Sequence, residues 1–160
     1  MNAVLRTPDL ARAVNDYRTV LGFECRHLIP GVFALLRHGP LQVSLWACAA
    51  TPGRFEKPGA QDWPASRFKP GDHSVVTTHS HALHASLRDA LCRVGVPVSQ
   101  RLPHEAPQLQ PWGAWEFTLL DGDGHRLHCV DWGPWRPDPA RLCEPGSRFG
   151  APDGDAEDPA

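Results

Sequence analysis

Two stretches of the chain alternate apolar and polar residues with the period of two that is typical of β-strands with one buried face. The first stretch covers residues 33–46 and the second covers residues 117–130. A glycine-containing turn interrupts each one, and glycine readily adopts the positive φ that tight hairpin turns require. Each stretch therefore predicts a β-hairpin. The two match at a constant offset of 84 residues, which places Ser44 and His128 at equivalent positions.

A period close to 3.6 residues predicts two amphipathic helices, at residues 9–21 and 80–94. Asp9 and Ser80 stand at the N-cap positions, and a glycine follows each helix, as the ends of helices prefer. The apolar positions of the two helices match at an offset of 73 residues. The helices are therefore predicted to be copies of one element.

A short strand precedes each predicted helix, at residues 2–5 and 73–77. The chain thus contains a strand, a helix and about three further strands, in the same order, twice. A period copied in this way indicates a repeated structural unit. The predicted division is a single domain at 1–132, with a first module at about 1–50, a linker at 51–70 and a second module at 71–132, and then a tail at 133–160.

These motifs carry a resemblance to a known superfamily. Pro-Asp-Leu at residues 8–10 and Leu-Gly-Phe at 21–23, around the first helix, resemble the opening of the vicinal-oxygen-chelate proteins, which include glyoxalase I, extradiol dioxygenases and bleomycin-resistance proteins. Pro-Trp-Gly at 111–113, followed by Asp-Gly-Asp-Gly at 121–124, is similar to the bleomycin-resistance branch. The resemblance spans roughly residues 2–132. It implies an α+β fold of two tandem βαβββ modules, whose curled mixed sheets surround a cleft that a homodimer usually completes.

Composition narrows the choice of partners. Residues 133–160 contain 3 Lys+Arg against 6 Asp+Glu, together with six prolines, which predicts an acidic, Pro-rich extension. The rest of the chain is close to neutral and offers no basic stripe for nucleic acid. The sequence shows no apolar run of transmembrane length and no signal-peptide pattern. Its five cysteines are odd in number and form no CxxC motif, which indicates reduced thiols and a cytoplasmic protein. From the charge and hydropathy patterns we expect no nucleic-acid partner and no membrane partner.

Two of the six tryptophans are candidate ligand-binding residues. In the bleomycin-resistance proteins the tryptophan of Pro-Trp-Gly lines the drug groove, and the resemblance implies the same role for Trp112. Trp46 lies two residues beyond Ser44, so strand alternation points it to the same face. Ordinary core packing explains Trp46 equally well. The pattern does not determine which way Trp115 faces.

The resemblance also implies four cleft positions, one on the first strand and one on the last strand of each module, where metal-dependent relatives bind their ion. These positions correspond to Asn2, Ser44, His73 and His128. A catalytic metal needs about three good protein ligands, and Asn and Ser are poor ligands for a transition metal. We therefore expect the four residues to line a ligand site that holds no metal and no other cofactor. The alternative is a metal site formed by His73, His128 and a third ligand such as Glu116.

Two functions from different classes follow. The first is a homodimer whose cleft sequesters an aromatic or heteroaromatic small molecule without changing it, so that no residue is catalytic. The second is a metal-dependent enzyme of the same superfamily, either a glyoxalase-like lyase or isomerase or a dioxygenase. The chain has no G-x-S-x-G elbow and no Cys-His signature, which argues against nucleophilic catalysis.

Overall fold

The structure, a computed structural model, describes residues 2–48, 50 and 67–133. Most of the predicted linker at 51–70 and nearly all of the predicted tail at 133–160 lie outside the described residues. The elements are β1 (Ala3–Thr7), α1 (Leu10–Thr19), β2 (Glu24–Ile29), β3 (Phe33–His38), β4 (Leu41–Ala47), β5 (Asp72–Val76), α2 (Ser80–Val94), a 3-10 turn (Val98–Gln100), β6 (Gln108–Leu109), β7 (Trp115–Leu120) and β8 (Arg126–Asp131).

The strands form two four-stranded mixed sheets, in the orders β1-β4-β3-β2 and β5-β8-β7-β6. In each sheet the first strand pairs in parallel with the last, and the pairs β2–β3, β3–β4, β6–β7 and β7–β8 are antiparallel. The α+β class predicted from the sequence is confirmed. In the part of the chain that the structure describes, neither helix is long and apolar enough to cross a membrane.

The register of the strands corrects the predicted offset between the two helices. Val4 lies opposite Ser44, and Ser74 lies opposite His128, so β1 and β5 match at an offset of 70 residues. Helix α1 begins at Leu10 and α2 at Ser80, which gives the same offset. The predicted offset of 73 is wrong because a helical face nearly repeats every three to four residues, and a shift of three therefore preserves the apolar pattern.

The constant offset of 84 also fails within the hairpins. Ser44 and His128 do match, and they face Leu35 and Thr118 respectively across the hairpin. Leu35 and Ser44 are 9 residues apart along the chain, whereas Thr118 and His128 are 10 apart, so Leu35 and Thr118 match at an offset of 83.

The two helices begin in different ways. The Asp9 side chain accepts a hydrogen bond from the Arg12 amide at 3.0 Å, so the predicted N-cap of α1 is confirmed. The predicted N-cap of α2 is wrong. The N-cap residue is His79, which has a left-handed backbone with φ of 53°, and the Ser80 amide donates to Asp131 Oδ2 at 2.8 Å. A carboxylate at the end of β8 therefore caps this helix, and local sequence carries no sign of it.

Alternate strand residues divide each sheet into two faces. One face packs against the helices in a single core that extends through both sheets and includes Tyr17, Leu5, Leu45, Leu87 and Leu127. We call the opposite side the open face. In the first sheet it carries Val4, Phe33, Ser44 and Trp46, and in the second sheet it carries Ser74, Val76, Glu116, Thr118, His128 and Val130.

A buried carboxylate joins the two halves of the chain. The Tyr17 hydroxyl of α1 donates to Asp121 Oδ2 at 3.0 Å, and Asp121 Oδ1 accepts from the amides of Asp123 and His125 at 2.9 Å each. The His125 ring in turn lies 2.7 Å from the Arg6 carbonyl through Nε2. Burial raises the pKa of Asp121 above its ordinary value. The β7–β8 turn of the second half is therefore fastened to α1 and β1 of the first.

A salt bridge lies beside this contact. Asp16 on α1 binds Arg101 through both carboxylate oxygens, at 3.0 and 2.6 Å. A Cβ added to Gly122 would stand 2.7 Å from Asp16 Oδ2, which is closer than real Cβ atoms approach. Gly122 therefore lets α1 pack closely against the β7–β8 turn, because a side chain at this position would collide with Asp16.

We predict that Tyr17→Phe lowers the free energy of unfolding by about 1–3 kcal/mol, because it leaves one oxygen of buried Asp121 without its donor. Chemical denaturation measures the change. Thr19→Ala is the matched control, since it removes an exposed hydroxyl bond to Asn15 on the same helix and should change stability by about 0.5 kcal/mol or less. Equal effects of the two substitutions would contradict the role given to Asp121.

Burial lowers the pKa of three histidines, His38, His73 and His84, below the ordinary value near 6.5. For His38 a hydrogen bond with the Gly22 carbonyl opposes the shift. At a pH between the lowered value and 6.5, the unfolded chain binds more protons than the folded chain. The folded state therefore loses stability as the pH falls through this window.

We predict that the free energy of unfolding decreases as the pH is lowered from 7.5 to 5.5, measured by urea denaturation at each pH. His84→Gln should reduce this dependence, because the Gln amide can donate to the His104 carbonyl as the ring does, at 2.9 Å, and does not titrate. A stability that stays constant or rises over this range would contradict the prediction.

Candidate functional site

His128 lies in the middle of β8 on the open face. Its Nδ1 is 3.2 Å from the Thr118 hydroxyl on β7, and its Nε2 is 3.8 Å from Asp72 Oδ1 on β5. The ring is half-buried, so part of it remains accessible to solvent. His128 thus sits at the centre of a polar row that runs across three adjacent strands.

Trp112 stands next to the same face of the second sheet. It lies in the turn between β6 and β7, and 57% of the residue is exposed. Its indole N–H donates to Glu116 Oε1 at 3.0 Å, and Glu116 belongs to the open face of β7. The exposed indole, Glu116, Thr118 and His128 therefore occur together on one side of the second sheet.

The open face of the first sheet is more aromatic. The rings of Phe33 and Trp46 are 4.7 Å apart between centroids and tilted by 50°. Ser44 is buried between Val4 on β1 and Leu35 on β3. Trp46 and Ser44 share this face, as alternation predicted, and the sheet offers aromatic surface with one hydroxyl.

His73 lies on the opposite side from His128. Its strand partner is Leu127, so its side chain belongs to the helix-covered face. The ring packs against His125 at 5.2 Å between centroids, and Nε2 is buried without a hydrogen-bond partner among the described residues. The prediction that His73 and His128 point into one cleft is therefore wrong. The sequence predicts this strand at 73–77, one residue further along than the observed β5, and a shift of one residue changes the face.

Asn2 does not occupy the predicted cleft position on β1 either. It precedes β1 and is exposed, while Val4 is the residue that faces Ser44. According to the strand register, Val4, Ser44, Ser74 and His128 occupy the four cleft positions that the resemblance implies.

The structure shows which way Trp115 and Glu116 face, which the sequence did not determine, and it adds two neighbours of His128 that the sequence did not predict. Trp115 lies on the helix-covered face and packs against His81 at 4.6 Å, whereas its neighbour Glu116 lies on the open face. Sequence reasoning did not identify Thr118 and Asp72 as neighbours of His128. Strict alternation from His128 and a correct strand register would have found both of them.

These residues do not fit a catalytic metal. Of Val4, Ser44, Ser74 and His128, only the histidine is a good ligand for a transition metal, and such sites need about three. Among residues 2–48, 50 and 67–133, no group of three or more His, Cys, Asp or Glu side chains is arranged to hold an ion. The alternative set of His73, His128 and Glu116 spans both faces of the sheet, because His73 lies on the other side.

No protein-family model and no curated protein sequence matches the chain. Its fold is similar to that of a glyoxalase-related enzyme from Clostridium phytofermentans, with a TM-score of 0.52, 16% identity and coverage of 82% of this chain and 92% of that one. A bleomycin resistance determinant encoded on the transposon Tn5 matches with a TM-score of 0.51, 21% identity and coverage of 82% and 95%. A bleomycin-binding protein complexed with bleomycin matches with a TM-score of 0.50, 17% identity and coverage of 82% of this chain and 96% of that one. The chain therefore shares the fold of these proteins.

We predict that the protein, purified without a histidine tag, retains less than one equivalent of Zn²⁺, Fe²⁺ or Mn²⁺ per chain by elemental analysis. One imidazole leaves most of the coordination sphere of a metal ion to water, so the ion should bind too weakly to stay on the protein during purification. Treatment with EDTA should leave ligand affinity unchanged. One tightly held equivalent, with function lost on chelation, would support the metal-enzyme alternative.

Proposed function

We propose that the chain is a small-molecule binding protein that sequesters an aromatic or heteroaromatic compound in a cleft lined by the open faces, as bleomycin-resistance proteins do. The single observation that carries the proposal is the exposed indole of Trp112, which is fixed by a hydrogen bond beside the polar row around His128. An aromatic ring that stays exposed and is held in place offers a flat surface for stacking. One protein of this fold is complexed with bleomycin.

Binding is favoured over catalysis by the chemistry of the cleft positions. The metal-dependent alternative needs three ligands, and only His128 among the four register positions supplies one. Trp112, Trp46, Ser44 and His128 are the proposed ligand-binding residues. Asn2 and His73 are left out of the set, because Asn2 lies before β1 and His73 points to the core side.

We propose that a second copy of the chain completes the cleft. Val4 on β1 and Val76 on β5 lie on the open face with 57% and 43% of each residue exposed. Apolar side chains on adjoining faces of both sheets favour burial against another surface. A two-fold homodimer is the commonest arrangement of identical chains, and it would enclose the open faces without a further partner.

For Trp112→Ala we predict that affinity for an aromatic ligand falls by about tenfold or more, because the stacking surface contributes on the order of 1 kcal/mol beyond area burial. The free energy of unfolding should change by about 1 kcal/mol or less, since the residue is largely exposed. Calorimetry and denaturation measure the two quantities.

Leu109→Ala is the matched control. Leu109 is 59% exposed on the same β6–β7 hairpin, but its strand partner is Trp115, so it lies on the other face. Leu109→Ala should leave the affinity for the aromatic ligand unchanged. If Trp112→Ala lowers stability and leaves affinity intact, Trp112 is a structural residue and the proposed site is misplaced.

The proposed dimer makes a separate prediction. Light scattering at micromolar concentration should give the mass of two chains, and Val4→Glu together with Val76→Glu should give a monomer, because charged side chains would be buried in the interface. Val94→Glu is the control, since Val94 is 48% exposed at the end of α2. A wild-type monomer would contradict the dimer.

A further inference from the structure

We infer that Glu116 selects the ligand, by fixing the Trp112 ring and by presenting a negative charge at its edge. The ligand class that fits is a flat heteroaromatic cation that carries N–H donors. This inference rests on the proposed function, but its positioning part can be tested without any ligand.

The Trp112 indole has one polar atom, and that atom can only donate. Glu116 Oε1 accepts its hydrogen bond at 3.0 Å. The turn between them is held by two backbone bonds, from the Gln110 amide to the Ala114 carbonyl at 2.8 Å and from the Gly113 amide to the Gln110 carbonyl at 2.9 Å. Gly113 has φ of 91°, which a residue with a Cβ rarely adopts. The turn and the carboxylate together set the direction of the ring.

The Glu116 carboxylate keeps capacity for a ligand. A carboxylate offers about four acceptor sites, and Trp112 uses one of them. Within the described part of the chain, none of the four salt bridges involves Glu116. Its partner across the strands is Val130, which is apolar. Arg126 lies four residues away from Val130 along β8, about 13 Å at the usual rise per strand residue.

A second carboxylate, Asp72, lies on the same face, with Arg126 as its partner on the neighbouring strand. Asp72 on β5 has 68% of its side chain exposed and lies 3.8 Å from His128 Nε2. A stacked ring would therefore lie on Trp112 with Glu116 at its edge and His128 and Asp72 further across the sheet. Cations are attracted to the face of an indole, and N–H donors bind carboxylates more strongly than neutral acceptors. Both effects favour a cationic, N–H-bearing ring over an anionic ring of the same size.

The positioning role is tested first in the ligand-free protein. The indole N–H resonance of Trp112, assigned with Trp112→Phe, reports its hydrogen bond. Glu116→Ala should shift this resonance and speed its exchange with solvent, whereas Glu116→Gln should preserve both, because the amide oxygen still accepts. Glu105→Gln, an exposed carboxylate in the preceding loop, controls for the change of charge. An indole resonance that is indifferent to Glu116→Ala overturns the positioning role.

The ligand class is tested with two flat tricyclic probes, 9-aminoacridine as the N–H-bearing cation and anthracene-9-carboxylate as the anion. The wild-type protein should bind the cation at least about tenfold more tightly, which corresponds to the strength of a charge-assisted contact. Glu116→Gln should reduce this preference several-fold and Glu105→Gln should not. Equal affinities, or a preference that survives Glu116→Gln, overturn the ligand class.

The two arms separate failure of this inference from failure of the proposed function. If neither probe binds, both the ligand class and aromatic sequestration are contradicted, while the indole resonance still decides the positioning role. If both probes bind equally and Trp112→Ala abolishes binding, the proposed function is sustained and the selection by Glu116 is overturned.

Discussion

Strand alternation is the constraint on which the rest of the structure depends. Each strand gives one row of side chains to the helix-covered core and the other row to the open face, and a shift of one residue exchanges the two rows. His128 and His73 illustrate the consequence. Their strands are neighbours, yet His128 pairs with Ser74 and lies on the open face, whereas His73 pairs with Leu127 and lies on the helix-covered face. This division removes the second histidine that a metal site would need and leaves a surface of aromatic and polar groups.

Contacts between the two halves keep these rows in place. Tyr17 and Asp121 are 104 residues apart in the chain, and their buried hydrogen bond fixes α1 against the β7–β8 turn. On the other side, His38 at the end of β3 lies 2.7 Å from the Ser86 hydroxyl on α2. Each helix is thus bound to a hairpin of the opposite half. The open faces then form on rigid strands, which is what a preorganised binding surface requires.

Much of the fold could be predicted because its signals are local. Periods of two and 3.6 residues identified the hairpins and the helices, and the duplication indicated the repeated order of elements. Two kinds of feature could not be predicted. The face of a residue depends on where its strand begins, and one misplaced residue in β5 was enough to move His73 to the wrong side. Side-chain partners also could not be predicted: Asp131 caps α2 from 51 residues away, and Glu116 accepts from Trp112 only because the turn between them brings the two side chains together.

The central claim is that ligands bind on the open face of the sheets, and the two histidines provide its most direct test. The measurement is a titration of the histidine ring resonances of ¹⁵N-labelled protein with 9-aminoacridine, assigned by single His→Gln substitutions. The account predicts that the His128 resonances shift in proportion to the bound fraction while those of His73 stay in place. A shift of the His73 resonances with those of His128 unchanged would contradict it.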